Sequence, residues 1–463
     1  MREYNPLEMN RRRFLGMAGV TVLAGLGLLT GCSTGIGATE TGDANSSNGP
    51  KAANGKLDPD NPTKITFYSY SLGSGSNAPV MQDIIDTFNK TIGADKGVVV
   101  TGVADEQMGS LDKTKADIQA GNQVNIIQHT FPTLDASRLN LGIQAYEDVF
   151  DTDEMKKAFD GMDERAQKLG VIDGKNYGIG FTFSTPILYI NETMFEQAGL
   201  DPKSTNLKTW DDVASACKTI KDKTGQYGIA FPPSSTNSWV VESLVYSNGG
   251  SMFSKDRKKA TFASKETTEA FEMWKGLFDA GYCAPGTDTE SMQMFAVGKA
   301  AMTLTSTAAL AMFKQAATAA GWQLGGVAEP GFGTKKPAPT NSGSCLAVRA
   351  QTDEEAAACW EFIKYATSAE AYTKITEGIG YLPLRPELID DPKYLKDFAD
   401  KNPIIRTNVE QLKNLHPATI WPGSNATETS KAFLDAVAKA VSTDADISST
   451  MKDAQDQING MLG

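Results

Sequence analysis

The sequence predicts an α/β protein, and three observations carry that prediction. β-branched and aromatic runs alternate with amphipathic helical stretches from residue 65 onward. A second alternation of the same kind begins near residue 185. The chain has 463 residues, 40% hydrophobic and 22% charged, which suits more than one packed core and is neither disordered nor multi-spanning in composition.

Each element follows from its own pattern. Ile65-Thr66-Phe67-Tyr68 reads as a strand, and Val80, Ile84, Ile85 and Phe88 then fall on one helical face. Val98 to Val100 reads as a second strand, Leu111 to Ala120 as a helix, and Val124 to Gln128 as a third strand. That order is the signature of a largely parallel sheet. Tyr177 to Phe181 and Ile187 to Ile190 are extended runs joined through Ser184-Thr185-Pro186. Glu192 to Ala198 is a short helix stopped by Gly199. Thr209 with Asp212 three residues on reads as a capping box, backed by the apolar face of Val213, Ala216, Cys217 and Ile220. Tyr227 to Phe231 is again a strand.

The N-terminus reads as an export signal. Arg11-Arg12-Arg13 precede an apolar run, Phe14 to Leu29, that is short for a membrane span. The arginines with Phe14 and Leu15 resemble a twin-arginine start, and Leu29-Thr30-Gly31-Cys32 resembles the lipobox of bacterial lipoproteins. The resemblance implies cleavage after residue 31, a lipid on Cys32, and a membrane partner reached through that anchor. Residues 32–61 are rich in Gly, Ser, Thr and Asn and are expected to form a flexible tether.

Charge and motif exclude several functions. The chain has 44 basic and 56 acidic residues, a formal net charge of −12, and no basic stripe, so nucleic acid is not an expected partner. His129 and His416 are the only histidines, which argues against a His-built metal or acid–base centre. There is no phosphate-cradling GxxxxGK[ST], no GxGxxG and no HExxH. The GxSxG-like Gly31 to Gly35 sits in the signal region, outside any strand–turn–helix context. No catalytic residue, cofactor or metal is expected. A secreted carbohydrate-active hydrolase stays open as an alternative, because two distant carboxylates leave no motif.

An ordered train of short motifs then carries a family resemblance. It runs Asp173 to Ile179, Ser184 to Asn191, Met194 to Pro202 and Lys208 to Asp212, followed by Asn248-Gly249-Gly250, Phe295 to Met302, Ser342-Gly343 and Gly380-Tyr381-Leu382-Pro383. The train resembles the extracellular solute-binding proteins of ABC importers for sugars and glycerol phosphates. The resemblance implies a two-lobed periplasmic-binding-protein fold with a multi-crossover hinge and an inter-lobe ligand cleft. Lobe one would comprise 62–182 and 326–375, and lobe two 184–324 and 381–463. The implied partners are a small solute and the transmembrane subunits of an ABC permease, at the outer face of the cell membrane.

A sugar offers hydroxyls to side-chain donors and acceptors and a C–H face to an aromatic plane. The residues expected to meet it are Tyr70, Ser71 and Asn77 around the end of the first strand; Ser184 and Thr185 at the lobe crossing; Ser306 and Thr307 at a strand-to-helix turn; and Gly343 and Tyr381. Trp239 and Trp421 are taken as stacking plates, with a core role the open alternative. Ser306 could equally serve as a helix cap, and Tyr70 as an ordinary residue at the sheet edge. Trp210, Trp274 and Trp360 read as core. The resemblance is nearest to the glycerol-3-phosphate-binding branch, but 425–430 lacks that branch's Arg. An uncharged carbohydrate or polyol is therefore favoured over glycerol 3-phosphate or a glycerophosphodiester.

Four further cysteines, Cys217, Cys283, Cys345 and Cys359, permit disulfides in an exported chain. With the implied lobes, the pairs that leave the hinge free are Cys217–Cys283 and Cys345–Cys359.

Overall fold

The computed structural model describes residues 49–105, 112–233 and 238–462. The export signal, Cys32 and the first part of the expected tether lie outside the described residues.

The strands are β1 (Thr63–Ser69), β2 (Val98–Ala104), β3 (Ile126–Thr130), β4 (Val171–Ile172), β5 (Lys175–Asn176), β6 (Ile179–Ser184), β7 (Pro186–Asn191), β8 (Tyr227–Ala230), β9 (Ala300–Ser306), β10 (Leu324–Ala328) and β11 (Ser342–Val348). One sheet has the order β2-β1-β3-β11-β6 and a second the order β10-β7-β9-β8, while β4 and β5 form a small hairpin. In the first sheet β1 runs parallel to β2 and β3, and β11 runs antiparallel to both β3 and β6. In the second, β7 is antiparallel to β9 and β10, and β8 is parallel to β9. One edge of the first sheet therefore collects the ends of β1, β3 and β6 and the start of β11. The matching edge of the second collects the ends of β8, β9 and β10 and the start of β7.

Apolar periodicity builds the two lobes. In lobe one, Met81, Ile84, Ile85 and Phe88 of helix Ala78–Lys90 are buried against the first sheet. Phe67 meets Phe181 and Phe362 at ring-centroid distances of 6.0 and 5.3 Å. In lobe two, Phe231 stacks between Trp210 and Trp274 at 5.8 and 4.4 Å. Trp210, Trp274 and Trp360 are all buried, as the sequence predicts. Helix Trp210–Thr224 starts on the capping box, with Thr209 N donating to Asp212 Oδ2 at 2.9 Å and Asp212 N to Thr209 Oγ1 at 3.2 Å. Among the described residues no helix is long and apolar enough to cross a membrane.

The chain passes between the sheets at Ser184–Pro186, where every residue of β6 and β7 is buried. It returns between Ala328 and Ser342. The boundary expected at residue 326 is corrected by this: Leu324–Ala328 pairs with β7 and belongs to the second sheet. Strand partners are non-local, so no local pattern fixes that border. The segment after residue 381 is corrected too. Leu382 N donates to Phe183 O at 2.7 Å, Asp163 N donates to Leu384 O at 2.9 Å, and Arg385 binds the carbonyls of Ala158 and Thr367. This stretch rests on lobe one, and lobe two resumes with helix Pro403–Gln411, which packs on β10.

The far end of the expected tether is ordered, not free. Residues Ala52–Asn54 form a helical turn against helix Asp353–Ala366, and Lys51 N donates to Asp353 Oδ1 at 2.7 Å. Ala52 and Leu57 pack on the lobe-one core. The two small apolar contacts and the charged bond offset the ordering entropy that the polar composition could not.

The cysteine pairing is also corrected. All four described cysteines are buried free thiols. Cys283 Sγ donates to Phe231 O at 3.2 Å and Cys345 Sγ to His129 O at 3.4 Å, so these thiol protons are already used. Burial pushes Cys283 and Cys345 up to about 12 and raises Cys217 and Cys359 as well, which keeps the reactive thiolate scarce.

Candidate ligand-binding site between the lobes

At the lobe-one edge, strand ends bring hydroxyls and one amide together. Gln128, near the end of β3, is the hub. Its Nε2 donates to Ser71 Oγ and Ser344 Oγ, both at 3.0 Å, and its Oε1 accepts from Ser69. Ser344 and Thr182 share a 2.6 Å contact between hydroxyls. Tyr70 and Tyr381 stand beside this group, and the Tyr70 hydroxyl is buried among Thr182, Ser344 and Tyr381. Burial raises the pKa of both tyrosines, so each remains a neutral donor and acceptor. Gly343 has φ 105°, and a Cβ there would stand 2.1 Å from Thr182 O, so only glycine lets β11 approach β6 at this rim.

At the lobe-two edge, Ser306 ends β9. Its Oγ accepts from Ala308 N at 3.0 Å and donates to Ser184 Oγ at 2.7 Å. The cap role and the cleft role thus coexist in one side chain. Thr307 is fully buried with its hydroxyl unpartnered, while its carbonyl accepts from Tyr189 Oη at 3.1 Å. Thr185 turns to the hinge instead. It bonds Asn408 and receives Gln411 Nε2 at 3.0 Å, and Gln411 also reaches Pro186 O at 2.6 Å. Gln411 Oε1 accepts from Glu329 N at 3.1 Å, so one amide ties the first crossing to the second.

Two buried acids flank this region. Glu329, the residue after β10, accepts from Ser243 and lies beside the Ser247 hydroxyl. Burial pushes its carboxyl up to about 8, against the pull of the Ser243 and Ser247 hydroxyls. Glu242 accepts from Thr419 N at 2.8 Å and Trp421 Nε1 at 3.3 Å, and burial raises it too. His129 is held neutral by burial, down to about 4, between Ser137 (2.6 Å) and Thr133 (3.0 Å).

The expected residues do not all converge. Tyr70, Ser71 and Tyr381 share the lobe-one cluster, and Ser184 and Ser306 meet across the crossing. Thr307 and Gly343 lie at the same edges, and Trp239 is buried, 8% exposed, in helix Ser238–Ser247 with its carbonyl accepting from Thr340. Asn77 is half-buried, its side chain meets Ser76 at 3.1 Å, and its carbonyl accepts from Val80 N and Met81 N at the start of the helix. Trp421 corrects the plate assignment. It is 0% exposed, its ring enclosed by Phe253 (5.3 Å) and Phe433 (5.7 Å), so neither face is open.

Gln128, Thr182, Ser344, Glu242 and Glu329 were not anticipated. The strand-end rule that selects Tyr70 would also select Gln128. Glu242 had a signal of its own, as a lone acid inside an apolar helix. Among the described residues no group of three or more His, Cys, Asp or Glu could hold a metal ion.

Comparison with known proteins gives this geometry a lineage. A family model described as bacterial extracellular solute-binding protein matches residues 83–404. The sn-glycerol-3-phosphate-binding periplasmic protein UgpB of Escherichia coli K12 is 28% identical over 255 residues, 52% of this chain. The match spans 56% of that relative, so the chain covers about half the length of the curated relatives it matches first. Among solved structures, the cyclic alpha-maltosyl-1,6-maltose binding protein of Arthrobacter globiformis superposes with TM-score 0.74 at 21% identity, covering 87% of this chain and 99% of that one. UgpB of Mycobacterium tuberculosis, solved with glycerophosphocholine, gives 0.72 at 18%, covering 86% and 98%. These likenesses establish the two-lobed fold, and the family match extends over most of the chain: it belongs to the bacterial extracellular solute-binding proteins.

Proposed function

We propose that this chain is the exported receptor of an ABC importer, tethered through a lipid on Cys32, which captures an uncharged carbohydrate or polyol and delivers it to the permease. Capture proceeds by hinge closure, with ligand bridging Tyr70, Tyr381 and the Gln128 cluster of lobe one to Ser306, Thr307 and Trp239 of lobe two. One observation carries the reading. Thr307 Oγ1 and Asn341 Nδ2 are buried and unpartnered, and each lies at a strand end or a crossing. A buried group left unpaired costs about 1–3 kcal/mol, which the hydroxyls of a polyol would recover.

Charge supports the uncharged class. Arg138 and Arg257 are engaged by Asp135, and Lys335 by Asn248. The second reading, a glycerol phosphate or glycerophosphodiester, is favoured by the names of the E. coli and M. tuberculosis relatives. Those names describe binding, and they lend no support to a hydrolase.

A thermal-shift screen of sugars, polyols, glycerol 3-phosphate and glycerophosphocholine tests this, followed by titration calorimetry of each hit. Stabilisation by neutral sugars or polyols is expected. Stabilisation by the phosphorylated compounds alone would transfer the assignment to the second reading, and cleavage of an oligosaccharide would overturn both.

A further inference from the structure

We propose that Asp135 and Arg257 form a clasp between the lobes that holds the closed form in the absence of ligand. Asp135 lies in helix Leu134–Leu141, which follows β3 through the helical turn Phe131–Thr133, and belongs to lobe one. Arg257 lies in the 251–263 loop of lobe two, whose C-terminal part is held by Ala260 N on Asn459 (2.8 Å) and Ala263 N on Gln455 (2.8 Å). Arg257 Nη2 donates to Asp135 Oδ2 at 2.9 Å, and Gly423 N, also of lobe two, donates to the same oxygen at 3.0 Å. Arg138 occupies the other oxygen at 2.7 Å. The carboxylate is thus shared between lobes and only 5% exposed.

Backbone geometry is an independent observation. Among the described residues, Asp173 (φ 50°) and Arg257 (φ 58°) are the non-glycine residues in the left-handed region. They lie on opposite lobes and face each other, with Arg257 Nη1 3.6 Å from Asp173 Oδ1. Arg257 therefore reaches two lobe-one acids from a backbone conformation that arginine disfavours. The surrounding contacts run the same way: Trp421 N donates to Pro132 O at 2.9 Å, and Ala136 joins the apolar cluster of lobe two. Burial alone would raise the Asp135 carboxyl. The Gly423 N–H, the Arg138 bond and the nearby Arg257 charge outweigh it and hold the group below its ordinary value, so it is ionised at neutral pH.

This inference rests on reading the lobes as a closing receptor, but its test needs no solute. Small-angle scattering of the ligand-free full chain is compared for wild type, Asp135→Asn and Arg257→Gln. Both variants are expected to shift to a larger radius of gyration, and the double variant to no larger one. Added sodium chloride should enlarge wild type and leave the variants unchanged, because screening acts on the pair they lack. Melting of each variant establishes that it is folded; should Asp135→Asn fail, Arg257→Gln, on a part-exposed loop, carries the test alone. Wild-type scattering in folded Arg257→Gln, with no salt response in wild type, would overturn the clasp whatever the sugar screen finds.

Discussion

The hydroxyl of Ser306 accepts the Ala308 N–H and donates to Ser184 across the first crossing, so one oxygen caps a helical turn and joins the ends of β9 and β6. Ser306→Ala removes both bonds. The loss is expected to be about 1–2 kcal/mol in thermal or urea unfolding. Ser306→Thr should recover most of it. A cycle with Ser184→Ala should show coupling of about 0.5 kcal/mol or more, and strict additivity would separate the cap from the crossing.

The two tryptophans should behave differently. Trp421→Ala empties a core site and leaves Glu242 short of a donor, an expected cost of about 3–5 kcal/mol in unfolding. Trp239→Ala should cost less in stability and more in affinity, about 1–3 kcal/mol or five- to a hundredfold by calorimetry. Equal melting losses with unchanged binding would make both core.

Buried acids and a buried imidazole tilt stability in opposite directions. Glu329 is raised to about 8 from an ordinary 4.5, so the fold favours its neutral form. Its contribution is present at low pH and is lost as pH rises from about 4.5 through 8. His129 is lowered to about 4 from 6.5, so its contribution is present above 6.5 and is lost as pH falls toward 4. Glu329→Gln should therefore flatten the alkaline decline in melting temperature, and leave the acid decline in place.

Thiol chemistry gives a further check. Cys217, Cys283, Cys345 and Cys359 should resist alkylation in the native protein and react fully on unfolding without reductant, read by peptide mass. A reductant should not change the melting temperature. Any disulfide-linked peptide among the four would contradict the free-thiol structure.

What the sequence made legible was local. The Thr209–Asp212 box and the helix behind it needed only spacing, and the alternation around β1 to β3 needed only periodicity. The border at β10 depended on a partner, β7, more than 130 residues earlier. Trp421 sits in a stretch, 415–425, that lacks either helical or strand period, so its burial had no pattern to announce it. Asp135 and Arg257 are 122 positions apart, and nothing near either residue specifies the other. The cleft hydroxyls were found where strand ends could be placed. Gln128 closes the third strand as the sequence reads it, but no motif marks an amide as a hub, and its partner Ser344 lies 216 residues away.

On the proposed anchoring, the docked segment from Lys51 to Leu57 would make lobe one the stator. The chain enters lobe one through the Lys51–Asp353 bond, far in sequence from either crossing. Under that proposal a pull on the anchor would reach lobe one first, and lobe two would be the rotor. A surface that grips both halves would sense rotation of lobe two against a fixed frame. If that proposal holds, Asp353→Ala should free the 51–57 segment and leave ligand affinity unchanged.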